Sequence, residues 1–147
     1  MVLKFEFENE FGTTEITLSD LASQGNSLGE DQSTFKTSIN TKLKVSSHPS
    51  FKLTLPPLFP SFLVNILKGA YILSRGSNQY WLRSSNESLK DQLLEKNLIK
   101  DIDQFSSFYT ELKNGELFTS TISFLGKKEE LAALLNVHYS FLKLAEK

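Results

Sequence analysis

Val2-Leu3-Lys4-Phe5-Glu6-Phe7-Glu8 opens the chain in strict alternation. Leu3, Phe5 and Phe7 fall on one side and Lys4, Glu6 and Glu8 on the other, which is the period of a half-buried β-strand. Asn9 to Gly12 supplies turn chemistry, and Thr13 to Leu18 resumes with β-branched residues, so the opening reads as a hairpin. The same alternation returns over Thr34 to Val45, with Phe35, Ile39, Leu43 and Val45 on one face and Lys36, Lys42 and Lys44 on the other. That lysine stripe has an internal partner in Glu6 and Glu8 if the two strands pair. Between them Ser23 to Ser33 has no period and almost no apolar content, as expected of a mobile loop.

Phe51, Leu53 and Leu55 alternate for one more short strand, which stops at Pro56 and Pro57. The apolar stretch from Leu53 to Leu73 is no membrane span, because Pro56, Pro57 and Pro60 break its first half and Asn65, Lys68 and Gly69 interrupt the second. It predicts a proline turn, a short helix over Ser61 to Lys68, and a strand over Ala70 to Ser74. Arg75-Gly76-Ser77-Asn78 then turns the chain into a strand over Gln79 to Ser84. Ser84, Ser85 or Asn86 caps a helix carrying Leu89, Leu93 and Leu94. A second helix is expected over Leu98 to Leu112, with Ile99, Ile102, Phe105, Phe108 and Tyr109 at helical spacing and Lys113-Asn114-Gly115 as its stop.

Leu117 to Leu125 alternates as a strand. The last helix, about Lys127 to Glu146, places Leu131, Leu134, Leu135, His138, Phe141, Leu142 and Ala145 on one stripe, with Glu129 and Glu130 near its positive N-terminal end. Strands early, helices late and one returning strand define an α+β domain spanning residues 1–147: an antiparallel sheet of five to seven strands with two or three helices on one face.

Composition excludes more chemistry than it suggests. The 147 residues include no cysteine, two histidines (His48 and His138) and two arginines (Arg75 and Arg83). A disulfide scaffold, a thiolate metal site and a cysteine nucleophile are thereby ruled out. With 16 basic and 17 acidic residues the chain offers no broad attraction to nucleic acid or to an anionic membrane. No phosphate-binding glycine loop and no nucleophile elbow occurs, and no cofactor or metal is implied. The N-terminus lacks the apolar run of a signal peptide, so a cytoplasmic location is the expectation.

Asp101 with Asp103, and Asp91 with Glu95, lie among Lys90, Lys96 and Lys100, a solvated helix face rather than a catalytic pair. His138 on an apolar stripe reads as a hydrogen-bonded core histidine, with the wall of a ligand pocket as the alternative. His48 beside Pro49 reads as turn. The strongest binding candidate is Gln79-Tyr80-Trp81-Leu82-Arg83, where Tyr80, Trp81 and Arg83 gather interface-prone side chains and Trp81 and Arg83 share one strand face as a cation–aromatic pair. The expected role is a non-catalytic protein-interaction or assembly module, self-associating through this strand or an exposed sheet edge. Binding of an apolar small molecule under a Phe-rich sheet is the second expectation and a hydrolase-like enzyme the third.

Overall fold

The computed structural model describes residues 2–20, 35–44, 50–54, 70–75, 78–84, 86–95, 97–105, 107–122 and 127–145. The expected loop at 23–33, the expected helix at 61–68 and His48 lie outside the described residues. The elements run β1 (Val2–Glu8), β2 (Gly12–Asp20), β3 (Phe35–Leu43), β4 (Phe51–Thr54), β5 (Ala70–Arg75), β6 (Asn78–Ser84), α1 (Ser88–Glu95), α2 (Leu98–Ile102), β7 (Tyr109–Lys113), β8 (Glu116–Thr121) and α3 (Lys128–Ala145). All strand pairs are antiparallel, in the order β1-β2-β3-β8-β7-β4-β6-β5. The fold is α+β, as the strand and helix periods indicate.

The strand order has a consequence for assembly. The early strands β1 to β3 and the middle strands β4 to β6 do not pair with one another; the late β7–β8 hairpin joins them by pairing β3 on one side and β4 on the other. Its turn is Asn114-Gly115, with φ of 54° and 76° at the two residues. A two-residue loop with both φ angles positive is the type I′ turn, whose twist suits an antiparallel hairpin and which Asn-Gly favours. This corrects the expectation of one long helix from Leu98 to Leu112. The helix α2 ends at Ile102, and Tyr109-Thr110-Glu111-Leu112-Lys113 alternates into the sheet, with Thr110 and Leu112 buried.

One sheet face carries the core. Ile16, Ile39, Leu53, Leu82, Leu112 and Leu117 meet Leu134, Val137, Phe141 and Leu142 of α3, with Leu89, Leu93, Leu98, Ile99 and Ile102 from α1 and α2 completing the same cluster. Ring contacts run from Phe105 to Phe108 (6.2 Å between centroids), on to Phe141 (6.2 Å) and from there to Phe51 (5.7 Å). Offset and tilted aromatic pairs at these separations add to what their buried area contributes. At α1, Asn86 Oδ1 accepts the Ser88 backbone N–H at 3.0 Å, which supplies the N-terminal cap.

Two expectations about the first strand are revised. The strand β1 pairs with β2 and not with β3, so Glu6 stands opposite Glu15, and the cross-strand ion pair is Lys4 with Glu15 at 3.6 Å. Although patterned as half-buried, β1 is exposed along its whole length. Leu3, Phe5 and Phe7 continue the core face of β2, yet they remain 44%, 54% and 37% exposed.

Candidate functional site

The helices cover one side of the sheet; among the described residues, no helix or strand covers the other. Alternation sends every second residue there: Glu15 and Thr17 of β2, Lys36, Ser38 and Asn40 of β3, Phe118 and Ser120 of β8, Tyr109, Glu111 and Lys113 of β7, Lys52 and Thr54 of β4, and Trp81 and Arg83 of β6. A concavity of about 1030 Å³ runs over the middle of this surface, from Glu15 and Lys36 across Tyr109 and Phe118 to Thr54.

Three cation–aromatic pairs lie along this sheet face on five neighbouring strands, and of their members Lys36, Phe118 and Tyr109 line the concavity. Lys36 Nζ lies 5.5 Å from the centroid of the Phe118 ring, Lys52 Nζ 5.4 Å from that of Tyr109, and the Arg83 guanidinium carbon 5.8 Å from that of Trp81. Tyr109 and Phe118 meet edge to face at 6.0 Å. Each cation sits over the negative face of a ring, so the aromatic groups stay at the surface without forming a bare apolar patch. The Tyr109 hydroxyl donates to the Glu111 carboxylate, and burial followed by that bond raises its pKa to about 12.

The residues singled out in the sequence separate accordingly. Trp81 and Arg83 share the open face and their pairing, with Trp81 opposite Thr54 in the register. Tyr80 turns to the other side, where it is 3% exposed and donates to Asp103 Oδ1 at 2.7 Å. Burial first, then that bond, lifts the Tyr80 hydroxyl above the ordinary tyrosine range, so it ties β6 to the end of α2.

His138 does not line the concavity. It is fully buried in α3 and inserted between two threonines, with Nε2 2.8 Å from Thr41 Oγ1 and Nδ1 2.8 Å from Thr119 Oγ1. Those threonines meet others directly across strand pairs: Thr41 with Thr14 at 2.7 Å, and Thr119 with Thr110 at 3.0 Å. Proton bookkeeping fixes the direction of the chain. Thr110 donates its one hydroxyl proton to the Phe118 carbonyl at 3.1 Å, so Thr119 must donate to Thr110. Thr119 then accepts from His138, whose proton is therefore on Nδ1, and Nε2 accepts from Thr41. Thr41 accepts from Thr14, which accepts from the Asn9 amide at 2.7 Å. Every hydroxyl donates once and accepts at least once. Burial lowers the His138 pKa to about 3, so the imidazole is neutral near pH 7, as this chain of bonds requires.

Among the described residues neither His138 nor its threonines bond a carboxylate, and the arrangement is a structural brace across β2, β3, β8 and β7 rather than an acid–base pair. Among the described residues no group of three or more His, Asp or Glu side chains could hold a metal ion, and no helix is long and apolar enough to cross a membrane. Comparison with protein-family models, with curated proteins and with solved structures finds no match to this chain.

Proposed function

We propose that the chain is a non-catalytic protein-interaction module whose binding surface is the open face of the sheet. The observation that carries this reading is the belt of three cation–aromatic pairs, Lys36 with Phe118, Lys52 with Tyr109 and Arg83 with Trp81. Aromatic residues and arginine dominate the energetics of protein interfaces, because each brings a large contact area. The concavity is broad and mixes Phe118, Tyr109 and Ile122 with Glu15, Lys36 and Glu111. It is open rather than enclosed, which suits a protein surface better than an apolar small molecule, whose sites bury most of the ligand.

The test is selection of binding peptides from a displayed library, followed by affinity measurement against W81A and F118A, with L94A, at an exposed position of α1, as control. The reading expects binders that lose about tenfold or more in affinity to both open-face variants and none to L94A. Binders indifferent to W81A and F118A would refute it.

A further inference from the structure

The edge strand β1 combines a buried-type sequence with an exposed position. Its apolar side, Leu3, Phe5 and Phe7, extends the core face of the sheet beyond its last covered strand. Its polar side leaves Glu6 opposite Glu15, a like-charge pair. Both conditions are relieved by another strand at this edge, and the sequence of β1 itself selects which one.

We propose that β1 pairs antiparallel with β1 of a second copy of this chain, about a two-fold axis at Phe5. Pairing partners then sum to ten in residue number: Phe5 meets Phe5 of the second copy, Leu3 meets Phe7, and Lys4 meets Glu6, each of the latter two twice by symmetry. Leu3, Phe5 and Phe7 fall on one face and Lys4, Glu6 and Glu8 on the other, where Val2 stands opposite Glu8 of the second copy. Moving the axis by one residue to Lys4 sets lysine against lysine, and moving it to Glu6 sets glutamate against glutamate. Half-residue shifts put apolar side chains opposite charged ones. The register at Phe5 is alone among these in making two unlike pairs and no like pair.

The backbone agrees with that axis. The Leu43 amide donates to the Gly115 carbonyl and the Lys44 amide to the Phe11 carbonyl, so odd residues of β3 bond towards β8 and even ones towards β2. Carried through the registers of β3 with β2 and β2 with β1, the alternation turns the N–H and C=O groups of Phe5 towards β2 and those of Val2, Lys4, Glu6 and Glu8 outward. The Asn9 amide, which donates to the Gly12 carbonyl at 2.9 Å, has the same odd phase. In the dimer, Lys4 and Glu6 of opposite copies therefore exchange backbone hydrogen bonds. The two Phe5 residues form a non-hydrogen-bonded pair, in which side chains come closest.

The experiment is sedimentation of the full chain over a concentration series, with K4E, E6K and their equimolar mixture. The wild type moves from one-chain to two-chain mass with rising concentration. Each single variant sets like charges across both sides of the axis and raises the dissociation constant about tenfold or more, whereas the mixture restores it, because K4E and E6K complement each other. Circular dichroism verifies that each variant is folded. A cysteine-free chain also permits a register test by mild oxidation: F5C should link to itself, while L3C and F7C should link only to each other in mixture. The expected Cα separation at such a pair, about 4.5 Å, lies within the range a disulfide spans. A wild type that stays one chain up to about 1 mM overturns the proposal. So does a mixture no tighter than its components, or efficient self-linking of L3C. None of these outcomes bears on the open face, which W81A probes.

Discussion

Acidification is expected to destabilise this protein through one buried side chain, His138. In the folded state its pKa is held at about 3 by burial, against an ordinary value of 6.5. Below pH 6.5 the unfolded chain takes up a proton that the folded chain refuses, so the unfolded state binds more protons and stability falls as pH falls. The loss begins near pH 6.5, grows by up to ~1.4 kcal/mol per pH unit, and levels off near pH 3. Between pH 7 and pH 5 it amounts to about 2 kcal/mol, a substantial part of the roughly 5–15 kcal/mol that holds a typical domain together. The cause is local. A proton on Nε2 would face the Thr41 hydroxyl, which already accepts from Thr14 and would have to redirect its own proton away from the ring. Urea unfolding followed by circular dichroism at pH 7, 6 and 5, on the wild type and on H138Q, measures the effect. Glutamine offers one donor and one acceptor without titrating, so the wild type should lose about 2 kcal/mol more than H138Q over that interval. Equal losses in the two proteins would refute the assignment of a buried, neutral His138.

Three further substitutions examine the construction of the fold. T119V removes the hydroxyl that accepts from His138 Nδ1 and donates to Thr110; denaturant unfolding should show a loss of about 1–3 kcal/mol, with T119S close to wild type. G12A should lower the melting temperature sharply, since φ at Gly12 is +152° and a Cβ there would stand 2.0 Å from the Lys42 carbonyl oxygen. Y80F should cost about 1 kcal/mol in the same unfolding assay by deleting the bond to Asp103, while leaving affinity at the open face unchanged, because Tyr80 points into the opposite layer.

How much of this was legible in the sequence depends on where the deciding partners lie. The last helix and the hairpins β1–β2 and β5–β6 follow from local period and turn chemistry, and their strands pair as neighbours. The strand β7 did not, because Ile99, Ile102, Phe105, Phe108 and Tyr109 fall at spacings that imitate a continuing helix. Asn114-Gly115 serves equally as a helix stop and as a type I′ turn. The alternation in Tyr109 to Lys113 and the return of alternation just after the glycine were the available signal. In the candidate site, Trp81 and Arg83 were visible together because residues two apart on a strand share a face. Lys36 with Phe118 and Lys52 with Tyr109 were not, since each pair joins strands far apart in sequence. The threonine brace was hidden for a related reason: Thr37 and Thr41 occupy core-facing positions between Phe35, Ile39 and Leu43, and only His138, arriving from the last helix, gives a buried hydroxyl at Thr41 its acceptor.

Trp81 is the only tryptophan and lies on the open face beside Arg83, so it reports directly on whether that face binds a partner. The decisive measurement is acrylamide quenching of Trp81 emission with and without a selected binding peptide at saturation. Occupancy of the open face predicts a clear fall in the quenching constant together with a shift of the emission maximum to shorter wavelength. Saturating peptide that leaves both unchanged would contradict recognition of partners through this face of the sheet.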